Sequence, residues 1–470
     1  MNKVLFSLIW IQFLSLHVVF AFNSQDSDTI YFVNEKNKID KDVGDSEVLK
    51  KILNDCKSNS VIYFEAGTYY LSQTIKINKS IEICGALEDS VLLIFDLKGK
   101  GNLIEVSGTL SKSVYPVNMK SNSFSCYPKE IPHVNMGNHV LLYKTNADIE
   151  LSSWAKNSIG QLFEVAAHKG DSLQFTESSS LEYEASDSSK LQMVNPTNHV
   201  IFRNLTIQRK DQTKYQTSHL LFQYAVNCLV EKVTFLKMNF AAIDISYSKN
   251  IKIKSCNFYD AFSHGNGGKA YGVALQYTSS FCVVNDCIFR KLRHAVLLQS
   301  GANHCTVSGN YIVEGFWEEV NLPQSAAGDI VLHGNYPYAN KIVGNICNNI
   351  VVDRSHGLNG PYNQITNNRT NLYGIFVQRN GVEKILIANN DIYKVGLLKG
   401  KIRGRKSMMV LRNNRKNGRS YLVRSEVSET DCNDKLSVFN DYHIGYPCEF
   451  NNYFNRAYFR YNTTSISHYN

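Results

Sequence analysis

The sequence predicts an all-β solenoid: one chain wound into a parallel β-helix, with a short N-terminal capping helix and a small antiparallel β insertion. Three observations lead there. Setting Val233, Cys256, Cys287, Asn310, Asn345, Asn368 and Asn390 in register gives steps of 23, 31, 23, 35, 23 and 22 residues, the mark of one supersecondary unit per repeat, lengthened twice by insertions. Each unit opens on a short β-branched or apolar run, such as 251–258 or 305–312, followed by polar or small residues, which reads as strand rather than helix. Four successive units place Asn at one point, and the two before them place Cys there. Coils stacked about 4.8 Å apart turn such positions into ladders, and an Asn amide both donates and accepts along one. These Asn therefore read as structural.

The elements follow in order. Residues 1–21 carry a Lys near the start, an apolar run over 4–20 and small residues before Phe22, the pattern of a secretory signal peptide too short to span a membrane. No later segment is apolar enough to cross a bilayer, so a secreted or cell-surface protein is expected. Residues 22–115 read as an N-terminal cap and the first coils. Within them 45–56 forms an amphipathic helix, with Val48, Leu49, Ile52 and Leu53 on one face and Asp45 as N-cap. Residues 116–195 break the period and alternate like antiparallel strands, with Lys169-Gly170-Asp171 as a turn, so they read as a small β insertion. The main β-helix occupies 196–395, its coils ending near Tyr393. Residues 396–470 form a basic segment and an aromatic C-terminal cap that covers the open end.

Composition narrows the function classes. Apolar residues at 43% and 8 prolines argue for a packed body rather than disorder. Residues 394–424 hold 11 Lys or Arg and no acid; without them the net charge of +9 becomes −2. That run is a disordered basic arm, a solvated loop or one wall of a site for a polyanion. The 11 cysteines show no CxxC or CxxH cluster, which argues against zinc. Cys256 and Cys287 would stack on adjacent coils, as buried thiols or as a disulfide, and Cys432 and Cys448 flank a tail loop suited to a disulfide.

The string Val61-Ile-Tyr-Phe-Glu-Ala-Gly-Thr-Tyr-Tyr70, behind its helix, resembles the opening of pectate-lyase-like right-handed β-helix proteins. The blocks Leu292-Arg-His-Ala-Val-Leu-Leu-Gln-Ser-Gly-Ala-Asn303, Gly328-Asp-Ile-Val-Leu-His333 and Asp353-Arg-Ser-His-Gly-Leu-Asn359 resemble those of secreted bacterial members without an assigned reaction. The resemblance spans most of 45–395 and implies a right-handed solenoid. None of the Trp-Ile-Asp-His or Arg-x-Pro-x-x-Arg strings of pectate lyases is present, so it implies architecture rather than substrate.

Insertions at 263–269 and 314–324 follow equivalent strands and rim one lateral face. The strands behind them align as 271–276, 294–299, 328–333, 354–359 and 373–378. In that register Gln276, Gln299, His333, Asn359 and Gln378 form one polar row, Asp329 points the same way as His333, and Tyr271, His294, Arg354 and Tyr373 form the end row. Polar rows also arise as plain turn ladders, and a His more often plays a structural part. The register of His356 differs by one between counts from either side, which would reverse its face.

The function expected is a secreted carbohydrate-active enzyme, a polysaccharide lyase that cleaves an anionic, uronate-containing chain by β-elimination. His333 would be the base, with Asp329 and His294 beside it and Arg354 or Arg293 neutralising the uronate carboxylate. Gln299, Asn359, His356 and Arg293 would bind substrate, and Lys401, Arg403 and Arg405 would draw in the polyanion. No metal-ligand spacing is evident, although Ca2+ held by Asp329 or Asp353 could stand in for an Arg. The partner is an acidic polysaccharide, not a nucleic acid. One alternative is a glycoside hydrolase of the same fold using Asp329 with Asp353, Asp244, or Glu318 and Glu319. The other is a non-catalytic adhesin or glycan-binding β-helix.

Overall fold

The computed structural model describes residues 29–32 and 44–420, apart from 87–89, 131, 145–148, 150, 266, 316–327, 379–380, 393–400, 404–408 and 417–418. The signal-peptide segment, the Cys432 and Cys448 pair, and the aromatic cap lie outside the described residues.

Parallel strands stack coil upon coil, as the repeat requires. One inward row runs Ile62, Ile83, Phe202, Val230, Ile253, Val284, Val307, Ile342, Ile365, Ile387, each paired with the next and almost wholly buried. A second is built on Phe235, Phe258 and Phe289, whose rings stack at 5.1 and 4.4 Å. A third runs Ile243, Val273, Val296, Ile330, Ile350, Ile375. These β-branched and aromatic rows fill the interior, and their burial stabilises each coil only through its neighbours.

The Asn ladder turns one corner. Cys287 N donates to Asn310 Oδ1, Asn310 N to Asn345 Oδ1, Asn345 N to Asn368 Oδ1 and Asn368 N to Asn390 Oδ1, all at 2.9–3.1 Å. The residue before each rung has a left-handed backbone: Asp286, Gly309, Gly344, Asn367 and Asn389 all have φ of 55–68°. That explains the Gly-Asn and Asn-Asn pairs, because Gly and Asn adopt this conformation most readily. A second ladder, Cys305 to Asn340 to Asn363, turns another corner. Cys256 and Cys287 stack as free buried thiols, Cys256 N lying 3.5 Å from Cys287 Sγ.

Three expectations need correction. The helix spans Gly44–Asp55, but Asp45 does not cap it: its carboxylate accepts Tyr70 N at 2.7 Å from a neighbouring strand, and Val48 stays exposed while Leu49 and Leu53 reach the core. The antiparallel insertion is a closed six-stranded barrel whose first strand, Thr109–Asn118, starts before residue 116. The coils do not end near Tyr393. Lys401–Arg403 pairs with Gly374 to Phe376, Met409–Arg412 pairs with Ile385–Ala388, and Asn414 adds a rung by accepting Asn390 N at 3.0 Å. Basic side chains interrupt the apolar run of this coil and hide it in the sequence. Among the described residues no helix is long and apolar enough to cross a membrane.

Candidate functional site

The strand Ile330–Leu332 lies between His294–Leu298 and Ile346–Val352, with Leu298, Leu332 and Val352 abreast. The residue beside His333 is therefore Asp353, and the outer polar row runs Gln276, Gln299, His333, Asp353, Gln378. Asn359 does not belong to it. It sits in the following corner, its Nδ2 donating to Asp353 O and Gly381 O at 2.6 Å and its Oδ1 accepting Gly334 N at 3.0 Å. The run 354–359 imitates 328–333, but the apolar triplet Ile350-Val351-Val352 takes the strand position because it fills the core. Arg354 consequently follows the strand and lies exposed, its N–H on Gln378 Oε1 at 2.7 Å.

Asp329 does not share a face with His333. Its equivalent one coil back, Ala295, packs in the solenoid core, and a Cβ at the next equivalent, Gly272, would meet the Phe289 ring at 2.6 Å. Here two successive residues, Ala295 and Val296, both turn inward, which breaks the strict alternation assumed from the sequence. Asp329 is 1% exposed, accepts Asn348 N at 2.7 Å, and burial pushes its carboxyl up to about 7.

Around His333 a different group assembles. His333 Nδ1 lies 2.6 Å from Asp353 Oδ2, and Asp353 Oδ1 accepts Ser355 N at 2.7 Å. Burial raises the Asp353 carboxyl, but the facing His333 and the Ser355 bonds outweigh it and hold it below the usual range. An anionic Asp353 fixes the proton on Nδ1, leaving the Nε2 lone pair with no partner among the described residues. The His294 ring lies 6.0 Å from His333, and the His356 ring meets it edge-on at 4.8 Å. Burial, then the charge of His333, depresses both; His294 falls to about 3, with its Nδ1 2.8 Å from Gly328 O. Tyr271 packs on His294 at 4.8 Å. Arg293, 8% exposed, reaches His264 O at 3.4 Å and leaves its Nε without a partner. Gln299 donates to Gln276 at 2.6 Å, and Gln276 to Asp244 at 2.8 Å. Burial lifts the Asp244 carboxyl to about 6.

Of the expected residues, His333, His294, His356, Arg293 and Gln299 come together, while Asp329 and Asn359 do not join them. Lys401 and Arg403 sit beside Gly374 and Phe376 on the last coil, and Arg405, Glu318 and Glu319 lie outside the described residues. Asp353 commits both oxygens to His333 and Ser355, and no group of three or more His, Cys, Asp or Glu is arranged for a metal among the described residues. Of the candidate hydrolase carboxyls, Asp244 and Asp353 do not pair. Asp244 lies four strand spacings from Asp353, about 19 Å, where such a pair needs about 5–9.5 Å.

Residues 164–312 match a family model described as the right handed beta helix region. No curated protein matches the sequence. A tailspike of Acinetobacter baumannii bacteriophage AP22, solved with A. baumannii capsular saccharide, superposes with a TM-score of 0.59 at 15% identity, over 82% of this chain and 65% of that one. The tailspike of Pseudomonas phage phi297 gives 0.61 at 13%, over 80% and 63%. The fold is a right-handed parallel β-helix. An endo-xylogalacturonan hydrolase from Aspergillus tubingensis shares this β-helix with a TM-score of 0.50 at 10% identity, over 85% of this chain and 97% of that one. The chain thus spans less than two thirds of the length of each of the two tailspikes.

What the sequence reading missed in this β-helix is the partner of His333 and everything supplied by the barrel. The signal for Asp353 was present: Ile330-Val331-Leu332, Ile350-Val351-Val352 and Ile375-Phe376-Val377 are matching triplets. From the barrel, Ser152 Oγ lies 3.3 Å from His356 Nδ1, and the Trp154 ring is 5.3 Å from that of His356. No periodicity connects residues so far apart in the chain.

Proposed function

We propose that the protein is a secreted polysaccharide lyase acting on an anionic, uronate-containing polysaccharide. The observation that carries this reading is the His333 and Asp353 pair at 2.6 Å, with Nε2 of His333 unengaged and the ring of the neutral His294 6.0 Å away. In β-elimination a base removes the proton next to the uronate carboxylate. The electron pair forms the C4–C5 double bond, the C4–O bond breaks, and the departing oxygen takes a proton from solvent. His333 Nε2 is the base, Asp353 holds its tautomer and stabilises the imidazolium, and Arg293 with the exposed Arg354 neutralises the carboxylate as charge develops. The basic last coil attracts the polyanion. Fold neighbours that carry a capsular saccharide or act on xylogalacturonan support a glycan substrate.

The test is incubation with polygalacturonate, alginate and glycosaminoglycans. A rising ultraviolet absorbance from unsaturated uronate supports the lyase. New reducing ends without it indicate a hydrolase, and retention alone indicates a binding protein. His333→Ala should abolish the absorbance, and unchanged activity would reassign the base. Asp353→Asn keeps the shape but loses the fixed tautomer, so kcat should fall roughly 100-fold or more with KM little changed. An unaltered kcat would remove Asp353 from the mechanism.

A further inference from the structure

The barrel loop that carries Trp154 is anchored on both sides to the turns beside the outer row. Leu151 bridges to Gly357, Ser152 N donates to Asn335 Oδ1 at 2.8 Å, and Ser158 O accepts Thr278 Oγ1 at 2.6 Å. The close approach requires glycine at 301: its φ is +74°, and a Cβ there would meet Ser158 O at 1.7 Å. Ala155 and Ser158 are buried, yet Trp154, the residue just before Ala155, is 42% exposed. Its indole stands edge-on to Tyr277 at 6.0 Å and to His356 at 5.3 Å. Tyr277 ends a stack with Tyr247 and Tyr224, spaced 5.5 and 5.2 Å. The rings thus run in a contact chain from Tyr271 through His294, His333 and His356 to Trp154 and Tyr277, with His333 near its centre.

A large apolar ring held in water by a rigid loop gains nothing for folding from its exposed face. The same ring beside a proton-transfer centre offers a flat apolar surface to the C–H face of a pyranose. We propose that Trp154, flanked by Tyr277, is a sugar-stacking subsite. It holds the residue of the polysaccharide next to the one cleaved, beyond His356 and on the other side of His333 from His294 in the contact chain. Trp154 is then a positioning and specificity residue that the barrel lends to the β-helix. The proposal rests on the glycan reading of the site but not on the reaction being an elimination.

The experiment separates the two. Binding of oligogalacturonate and oligoalginate is measured by calorimetry on His333→Ala, which should not turn substrate over, alone and combined with Trp154→Ala or Trp154→Phe, and initial rates are measured on Trp154→Ala by itself. Trp154→Ala should weaken binding about tenfold, Trp154→Phe should restore most of it, and KM should rise in step while kcat changes little. Stacking is uncharged, so the ratio between variants should be the same at low and high sodium chloride, unlike the affinity itself. Equal affinity of the parent and Trp154→Ala overturns the subsite, as does a loss that vanishes at high salt. Trp154-dependent binding without cleavage by the wild type keeps the subsite and removes the lyase; cleavage with an unchanged KM in Trp154→Ala does the reverse.

Discussion

Replacing Asn345 by Ala is expected to lower stability by about 5 kcal/mol, more than any surface change to the solenoid. Asn345 Oδ1 accepts both the main-chain N–H and the side-chain Nδ2 of Asn310, at 3.1 and 2.9 Å, and its own Nδ2 donates to Val307 O at 2.9 Å. Truncation strands these three buried groups, each at about 1–3 kcal/mol, and leaves no water path to most of them. Domains are stable by only about 5–15 kcal/mol, so the variant should fail to accumulate in folded form or unfold at far lower urea. Asn345→Cys should be milder. The ladder already accepts a thiol where Cys256 N approaches Cys287 Sγ at 3.5 Å, so sulfur can receive the Asn310 N–H. A urea midpoint for Asn345→Ala equal to the wild type would mean that the coils hold together without their ladder.

That ladder is also where the sequence was most legible. Backbone corners repeat with the coil, so the left-handed residue and the rung after it recur, as Ser-Cys and Asp-Cys and then as Gly-Asn or Asn-Asn, and their spacing marks both fold and repeat. Register on the outer face was harder. Outer side chains do not fill the core, so nothing in the pattern penalised aligning 354–359 with 328–333, and the two-residue inward turn at Ala295 and Val296 was invisible. Hence His294 and His333 were placed together correctly while Asp329 and Asn359 were not. Asp353, one residue beyond the apolar triplet, was considered only as a calcium ligand or hydrolase carboxyl. The sequence places the basic segment beyond the last coil, as a loop or one wall of a site, for a related reason: Arg and Lys on its strands mask an apolar period that pairing with Ile385–Ala388 makes plain. The contribution of the barrel could not be read at all, because Ser152 and Trp154 meet His356 some two hundred residues away, through tertiary docking rather than repeat.

Acid should destabilise the protein by about 2.7 kcal/mol per pH unit between about pH 4 and 6, and the sign follows from counting protons. Of the five imidazoles depressed in the folded state, four fall far, first by burial: His139 and His219 to about 4, His294 and His304 to about 3. Unfolded, each takes up a proton near pH 6.5, so below that the unfolded chain binds more protons and folding weakens as pH falls. Two strongly raised carboxyls oppose this, beside a smaller rise at Asp45. Burial lifts Asp244 to about 6 and Asp329 to about 7, so in the same window the folded state retains two protons that the unfolded state has released near pH 4. Four against two leaves a net of two, at about 1.36 kcal/mol each per unit, and the slope levels off above about pH 7. Urea titrations at several pH values check the slope, and two variants check its parts. His219 Nε2 donates to Leu236 O at 2.9 Å and its Nδ1 is unpaired, so His219→Phe should halve the slope. Asp329→Asn removes an opposing group and should steepen it to about 4 kcal/mol per unit. Slopes that move in the same direction in both variants would show that these buried groups do not set the acid limit of the fold.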